Sequence, residues 1–115
     1  MGFKKQNTTI GFSLQGRIVS FCYALKELEQ RSLSGIFRMM LVQHFEGIRN
    51  FTRRNLTEAL KEIQDLEENV PVVVSIPVDM ESRIRKESDK RDIKPSQFFT
   101  EIINQQITNA RNIKD

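Results

Sequence analysis

Residues able to do covalent or metal chemistry are scarce in this chain. It holds one cysteine, Cys22, and one histidine, His44. A single thiol excludes a disulfide framework and a cysteine-based zinc cage. A single imidazole excludes a His-rich metal site and makes a hydrolytic triad remote. The carboxylates Glu67 and Glu68 are adjacent and therefore diverge on a helix, which is no acid–base pair. Without a nucleophile–base pair, a phosphate loop or a metal constellation, the expectation is a protein that is not an enzyme and takes no cofactor and no metal.

The remaining chemistry is that of polar contact. Lys4, Lys5, Gln6 and Asn7 form a polar arm ahead of the first apolar alternation. Ser34 and Ser96 stand where two helices are predicted to begin, and Lys94 sits in the turn before the second. The basic cluster Arg83, Arg85, Lys86, Lys90 and Arg91 is interleaved with Glu81, Glu87, Asp89 and Asp92, which reads as a solvated helix face. His44 falls outside an apolar stripe and reads as a surface residue, whereas Cys22 lies on a core face as a small apolar side chain. Most of the eight phenylalanines sit at core periodicity, which argues against base stacking on single strands.

These residues must be positioned by one modest domain, because the chain has 115 residues. Hydrophobic residues make up 38% and charged residues 29%, the composition of a globular rather than a disordered chain. Eighteen Lys and Arg against fifteen Asp and Glu give a formal charge of +3, which permits a phosphate-backbone partner without demanding one. The charge is uneven: net +4 over residues 1–50, −2 over 51–70 and +1 over 71–115. No apolar run approaches the roughly 20 residues of a membrane span. The N-terminus has no apolar stretch behind its lysines, so an intracellular location is expected.

Two flanks show the same order of elements. In TIGFSL, Ile10, Phe12 and Leu14 alternate with Thr9, Gly11 and Ser13, a half-buried strand. Gly16 and Arg17 open a helix with Ile18, Cys22, Leu25 and Leu28 on one face, and after a break at Arg31–Leu33, Ser34 caps a second helix carrying Ile36, Phe37, Met40, Leu41 and Phe45. Downstream, Val72–Ile76 reads as a strand bounded by Pro71 and Pro77. Asp79 caps a helix that ends near Asp92, and Ser96 caps another with Phe98, Phe99, Ile102, Ile103 and Ile107 as its stripe. The flanks superpose at an offset of 62, where Ser13 falls on Ser75, Ser34 on Ser96 and Phe37 on Phe99. That register reads as an internal duplication of a strand–helix–helix unit. Between the copies, Asn55 and Glu58 suggest a capping box, followed by a helical connector of about 15 residues lined by Leu56, Leu60, Ile63 and Leu66.

One such unit cannot fold alone, because a lone strand leaves both edges unpaired. Two copies solve this by pairing their strands into an antiparallel ribbon over four helices. The segments SIPVDMESRIRKES and IKPSQFFTEII then resemble the strand end, first helix, turn and second helix of the ribbon-helix-helix family of DNA-binding regulators, the fold of the Arc and MetJ repressors. Two units in one chain resemble the tandem form, the AvtR-type regulators of archaeal filamentous viruses. The resemblance implies a mostly α fold with a two-stranded antiparallel ribbon, forming an intramolecular pseudo-dimer. It divides the chain into an arm (1–8), a first unit (9–48), a helical connector (49–70), a second unit (71–110) and a tail (111–115).

By position in the family, Thr9, Gly11, Ser13, Val73 and Ser75 would face bases in the major groove of double-stranded DNA. Lys4, Lys5, Lys94 and the amides at Ser34 and Ser96 would grip phosphate. The chain departs from the family here, since the usual ribbon presents Arg, Lys, Asn or Gln and this one presents small groups. The expected function is a sequence-selective transcription regulator, a repressor or autoregulator. Self-association through Leu56, Leu60, Ile63 and Leu66 is the further expectation. The alternative is a protein-interaction module, antitoxin-like or an oligomeric scaffold, with little DNA contact.

Overall fold

A computed structural model describes residues 6–113. The chain runs β1 (Asn7–Gln15), α1 (Gly16–Glu29), α2 (Leu33–Glu46), α3 (Arg53–Lys61), β2 (Asn69–Pro77), α4 (Val78–Arg91) and α5 (Pro95–Arg111). It is mostly helical, with one two-stranded antiparallel sheet. Both strands extend beyond their predicted limits, β1 starting at Asn7 and β2 at Asn69. β1 pairs with β2 from Asn7 opposite Pro77 to Gln15 opposite Asn69, with Gly11 facing Val73 at the centre.

The boundaries recur at a single spacing of 62 residues. β1 and β2 begin at Asn7 and Asn69, α1 and α4 at Gly16 and Val78, α2 and α5 at Leu33 and Pro95. Each strand runs into its helix with no loop, through Gln15 (φ −59°) and Pro77 (φ −58°). α1 and α4 both end on a left-handed residue, Gln30 (φ 54°) and Asp92 (φ 53°). The central pair of the ribbon, Gly11 and Val73, is also 62 residues apart.

The inward strand residues and the helix stripes form one core. Leu14, Val72, Val74 and Ile76 are buried, and Ile10 and Phe12 are half-buried. Phe37 and Phe99 meet beneath the ribbon with ring centroids 5.5 Å apart, and Phe12 stacks on Phe99 at 4.4 Å. All five stripe residues of α5 are buried, as are Ile36, Phe37, Met40 and Leu41 of α2. Phe45 is half-buried beneath the guanidinium of Arg83, 4.4 Å from the ring centroid. Cys22 is buried, which pushes its thiol well above the usual range and leaves it protonated.

Several local expectations are corrected. Ser32, not Ser34, is the N-cap of α2, its Oγ accepting from the Gly35 amide at 3.0 Å. Lys94, not Ser96, occupies the cap position of α5, because Pro95 takes the first helical turn, where its missing N–H costs nothing. Asp79 lies inside α4, which starts directly from the strand. Leu28 is exposed, and Phe21 and Val19 bury the α1 face instead.

The connector helix is shorter than predicted. α3 spans nine residues and is capped by Thr52, whose Oγ1 accepts from the Asn55 amide at 3.1 Å. Residues 62–68 then return to the ribbon along α1. The Gln64 amide donates to Ser20 Oγ at 3.0 Å, the Arg17 amide to the Leu66 carbonyl at 2.9 Å and the Gly16 amide to the Glu68 carbonyl at 2.7 Å. The α1 N-terminus is thus capped by chain rather than by a side chain. Gly16 is required at that crossing, since a Cβ there would lie 2.8 Å from Leu66 Cβ. Leu56 and Ala59 of α3 are buried against the core, and Leu60 and Ile63 pack on it. The stripe expected to mediate self-association is therefore largely used within the chain, with Leu66 alone exposed.

Candidate nucleic-acid interface

The ribbon's open face is built by strand alternation. With Ile10, Phe12, Val72 and Val74 turned into the core, Thr9, Gly11, Ser13 and Val73 are exposed, and Ser75 is half-buried. Val73 is the most exposed apolar side chain of the group, at 65%. Gly11 lies directly across from it, so the centre of the face is low on one strand and raised on the other. No described residue of this face is charged.

The longer strands add three carboxamides to the ribbon face beyond the residues expected there. Asn7, Gln15 and Asn69 are exposed at its ends, on the same side as Thr9 and Ser75. Asn7 and Asn69 are equivalent at the spacing of 62, an identity visible in the sequence once the offset is extended two residues upstream. They lie at opposite ends of roughly 26 Å of ribbon. A carboxamide presents a donor and an acceptor side by side, the pair that matches the major-groove edge of adenine.

Helix N-termini flank the ribbon. Ser34, in the first turn of α2, accepts a hydrogen bond from the Ser75 amide at 2.8 Å, which ties α2 to the β2 edge and explains why Ser75 is half-buried. On the other side, Ser96, Gln97 and Thr100 of α5 border a shallow cleft with Ser13 and Gln15. Ser32 and Lys94 occupy the caps, and the amides of Ile36 and Phe98 are bonded to the carbonyls of Ser32 and Lys94. The amides at Ser34 and Ser96 sit two residues earlier, in the first turn, where an α-helix has no internal acceptor. A cation stands at each of these starts. Lys94 is exposed at the cap of α5. Arg31 lies before α2, its Cβ 3.5 Å from where a side chain on Gly35 would begin. In the sequence alone, Arg31 marks only the break between two helices.

Charge differs between the two ends of the ribbon. Lys4 and Lys5, assigned to phosphate contact, lie outside the described residues. Their counterparts at the spacing of 62 are Leu66 and Glu67, and Glu67 borders the Ser96 cleft. The basic cluster on α4 is exposed and ion-paired in part: Arg85 with Glu81, Arg91 with Glu101, and Arg83 with Glu46 at 3.8 Å. His44 is exposed and bonds Glu87 at 2.8 Å. No described helix is long and apolar enough to cross a membrane. Comparison with known proteins gives no match to a family model, a curated protein or a solved structure.

Proposed function

We propose that the chain is a sequence-selective double-stranded DNA-binding transcription regulator, a repressor or autoregulator, in the form of a tandem ribbon-helix-helix protein. In this reading residues 7–46 and 69–108 are two copies of one unit, and the single chain is an intramolecular pseudo-dimer acting inside the cell. The observation that carries it is the coincidence of the ribbon register with the sequence offset: Gly11 and Val73 are partners across the strands and equivalents along the chain. A pseudo-twofold axis through that pair presents one face symmetrically, as a two-stranded ribbon in a major groove requires.

The division of labour follows from the side chains. Ser34, Ser96, Arg31 and Lys94 flank the ribbon and contact phosphate, which positions the protein without reading sequence. Thr9, Ser13, Val73 and Ser75 make small contacts to base edges, with Val73 suited to a thymine methyl. Asn7 and Asn69 supply the discriminating contacts, since each can pair with adenine at two points. Lys4 and Lys5 add phosphate contact at one end.

The test is fluorescence anisotropy with the DNA upstream of the protein's own gene, at salt from about 50 to 200 mM. Affinity is expected to fall steeply with salt, with a log–log slope of about −0.9 per phosphate contact. Val73→Glu should abolish binding in a folded protein, and Lys94→Ala should weaken all sequences alike while lowering the slope by about one. Binding that survives Val73→Glu sinks the ribbon assignment.

A second reading, a protein-interaction module with little DNA contact, is favoured by a groove of about 670 Å³ along α1. Tyr23, Leu28 and Leu66 are exposed in it, and Glu27, Glu58 and Glu62 form its rim. Absence of any salt-dependent DNA binding at low salt selects this reading.

A further inference from the structure

A cavity of about 450 Å³ opens at the opposite end of the bundle from the ribbon, between the end of α2, the start of α3 and the last turns of α5. α2 touches the ribbon at Ser34 and reaches the cavity at Gln43, nine residues and roughly 14 Å of helix later. The volume lies within the roughly 300–1,000 Å³ of small-ligand sites.

An unsatisfied carboxamide oxygen lies just beneath its wall. Gln106 is 3% exposed and lines the cavity, and its Oε1 has no hydrogen-bond partner. Buried carboxamides are normally bonded, and an orphan calls for an explanation. The other half of the molecule provides the contrast. Gln106 is equivalent to His44, which is satisfied by Glu87. The residue equivalent to Glu87 is Leu25, which offers nothing. α3 then closes over this side of the bundle and leaves Gln106 buried.

The other lining groups form a matching set. Phe51 and Leu56 supply apolar surface, and Asn109 adds a second carboxamide beside Gln106. Arg49 and Arg53 stand exposed at the mouth. Arg53 also opens α3, where Thr52 takes the amides of Asn55 and Leu56 and the two preceding amides are free of internal acceptors. Two guanidiniums at a helix N-terminus suit a phosphate. Neighbouring carboxamides over an apolar floor suit the edge and face of a nucleobase.

We propose that this cavity binds a nucleoside monophosphate, with its phosphate on Arg49, Arg53 and the α3 N-terminus and its base edge on Gln106 and Asn109. The assignment is independent of the DNA reading, because it uses no residue of the ribbon.

The experiment is a ¹H–¹⁵N titration of the full chain with AMP, with GMP and with inorganic phosphate. Saturable shifts are expected at the backbone amides of Arg53 and Arg54 and the side-chain amides of Gln106 and Asn109, for at least one nucleotide. Arg49→Ala combined with Arg53→Ala, both exposed positions, should weaken that binding at least tenfold. Gln106→Leu removes the orphan, keeps the folded spectrum and should weaken the nucleotide while leaving the phosphate-induced shifts at Arg53 intact. Equal response to inorganic phosphate alone, shifts confined to the ribbon around Thr9 and Ser75, or no saturable response at millimolar nucleotide each overturns the proposal.

Discussion

α1 and α4 occupy equivalent places, 62 residues apart, with the same length, the same direct entry from a strand and the same left-handed exit. They are otherwise unlike. α1 buries Ile18, Val19, Phe21, Cys22 and Leu25, whereas α4 buries Ile84 and Ser88 alone. The connector explains the difference. α3 and residues 62–68 lie against α1, fastened by Asn55 to Glu29, by the Gln64 amide to Ser20 and by the carbonyls of Leu66 and Glu68. α1 is thereby covered on two sides and must be apolar on both. α4 has solvent on its outer side, and there it carries Arg83, Arg85, Lys86, Lys90 and Arg91 among acids. Positions 62 residues apart in matching elements can therefore differ as Phe21 and Arg83 do, because burial sets the residue type.

The largest effect is expected where the two halves meet. Phe37→Ala and Phe99→Ala should each destabilise by about 3–5 kcal/mol, because both rings are buried in the stack beneath the ribbon. With total stability of roughly 5–15 kcal/mol, either change brings the protein near unfolding in a denaturant melt. Similar losses confirm a shared axis, and near wild-type melting of either variant breaks it.

The second test is where the halves differ. Phe21→Ala should cost about 3–5 kcal/mol, and Arg83→Ala, which removes a partly exposed stack on Phe45, about 0.5–1 kcal/mol. Equal melting shifts would show that α3 does not seal α1.

Next in size is the crossing of the connector. Gly16→Ala places a methyl group against Leu66 Cβ and the Glu68 carbonyl and should cost about 1–3 kcal/mol. Its equivalent, Val78, donates its amide to the Gln6 carbonyl at 3.0 Å in the same way but already carries a side chain that is 44% exposed, so Val78→Ala should shift the melting temperature far less. Hydrogen exchange at Arg17 provides a second readout, since its amide should lose protection only in the Gly16 variant.

The smallest effect should be common to both halves. Gln30→Gly and Asp92→Gly relieve left-handed backbone at φ 54° and 53° and should each stabilise by about 0.5–1 kcal/mol. Opposite signs in thermal melts would mean that the two turns are not equivalent.

Local residue patterns were enough to place both strands, the four helices that follow them and most of the core face. The alternation of Thr9–Leu14 and the β-branched run Val72–Ile76 specify strands, and the stripes of Phe37 and Phe99 specify helices, because each is a local period that only one backbone geometry can place on a single face. Their repetition at one offset was legible without any coordinates. Tertiary structure decided what depends on neighbours distant in sequence. It placed Ser32 and Lys94 at the helix caps, with Ser34 instead bonding the Ser75 amide of the opposite strand. It stopped α3 at Lys61 so that the following residues could reach the N-terminus of α1. It also extended the strands to Asn7 and Asn69, since pairing across the ribbon supplies hydrogen bonds that no local pattern records. The buried Gln106 was invisible for the same reason: its burial comes from α3, and its missing partner from Leu25 standing where the other half has Glu87.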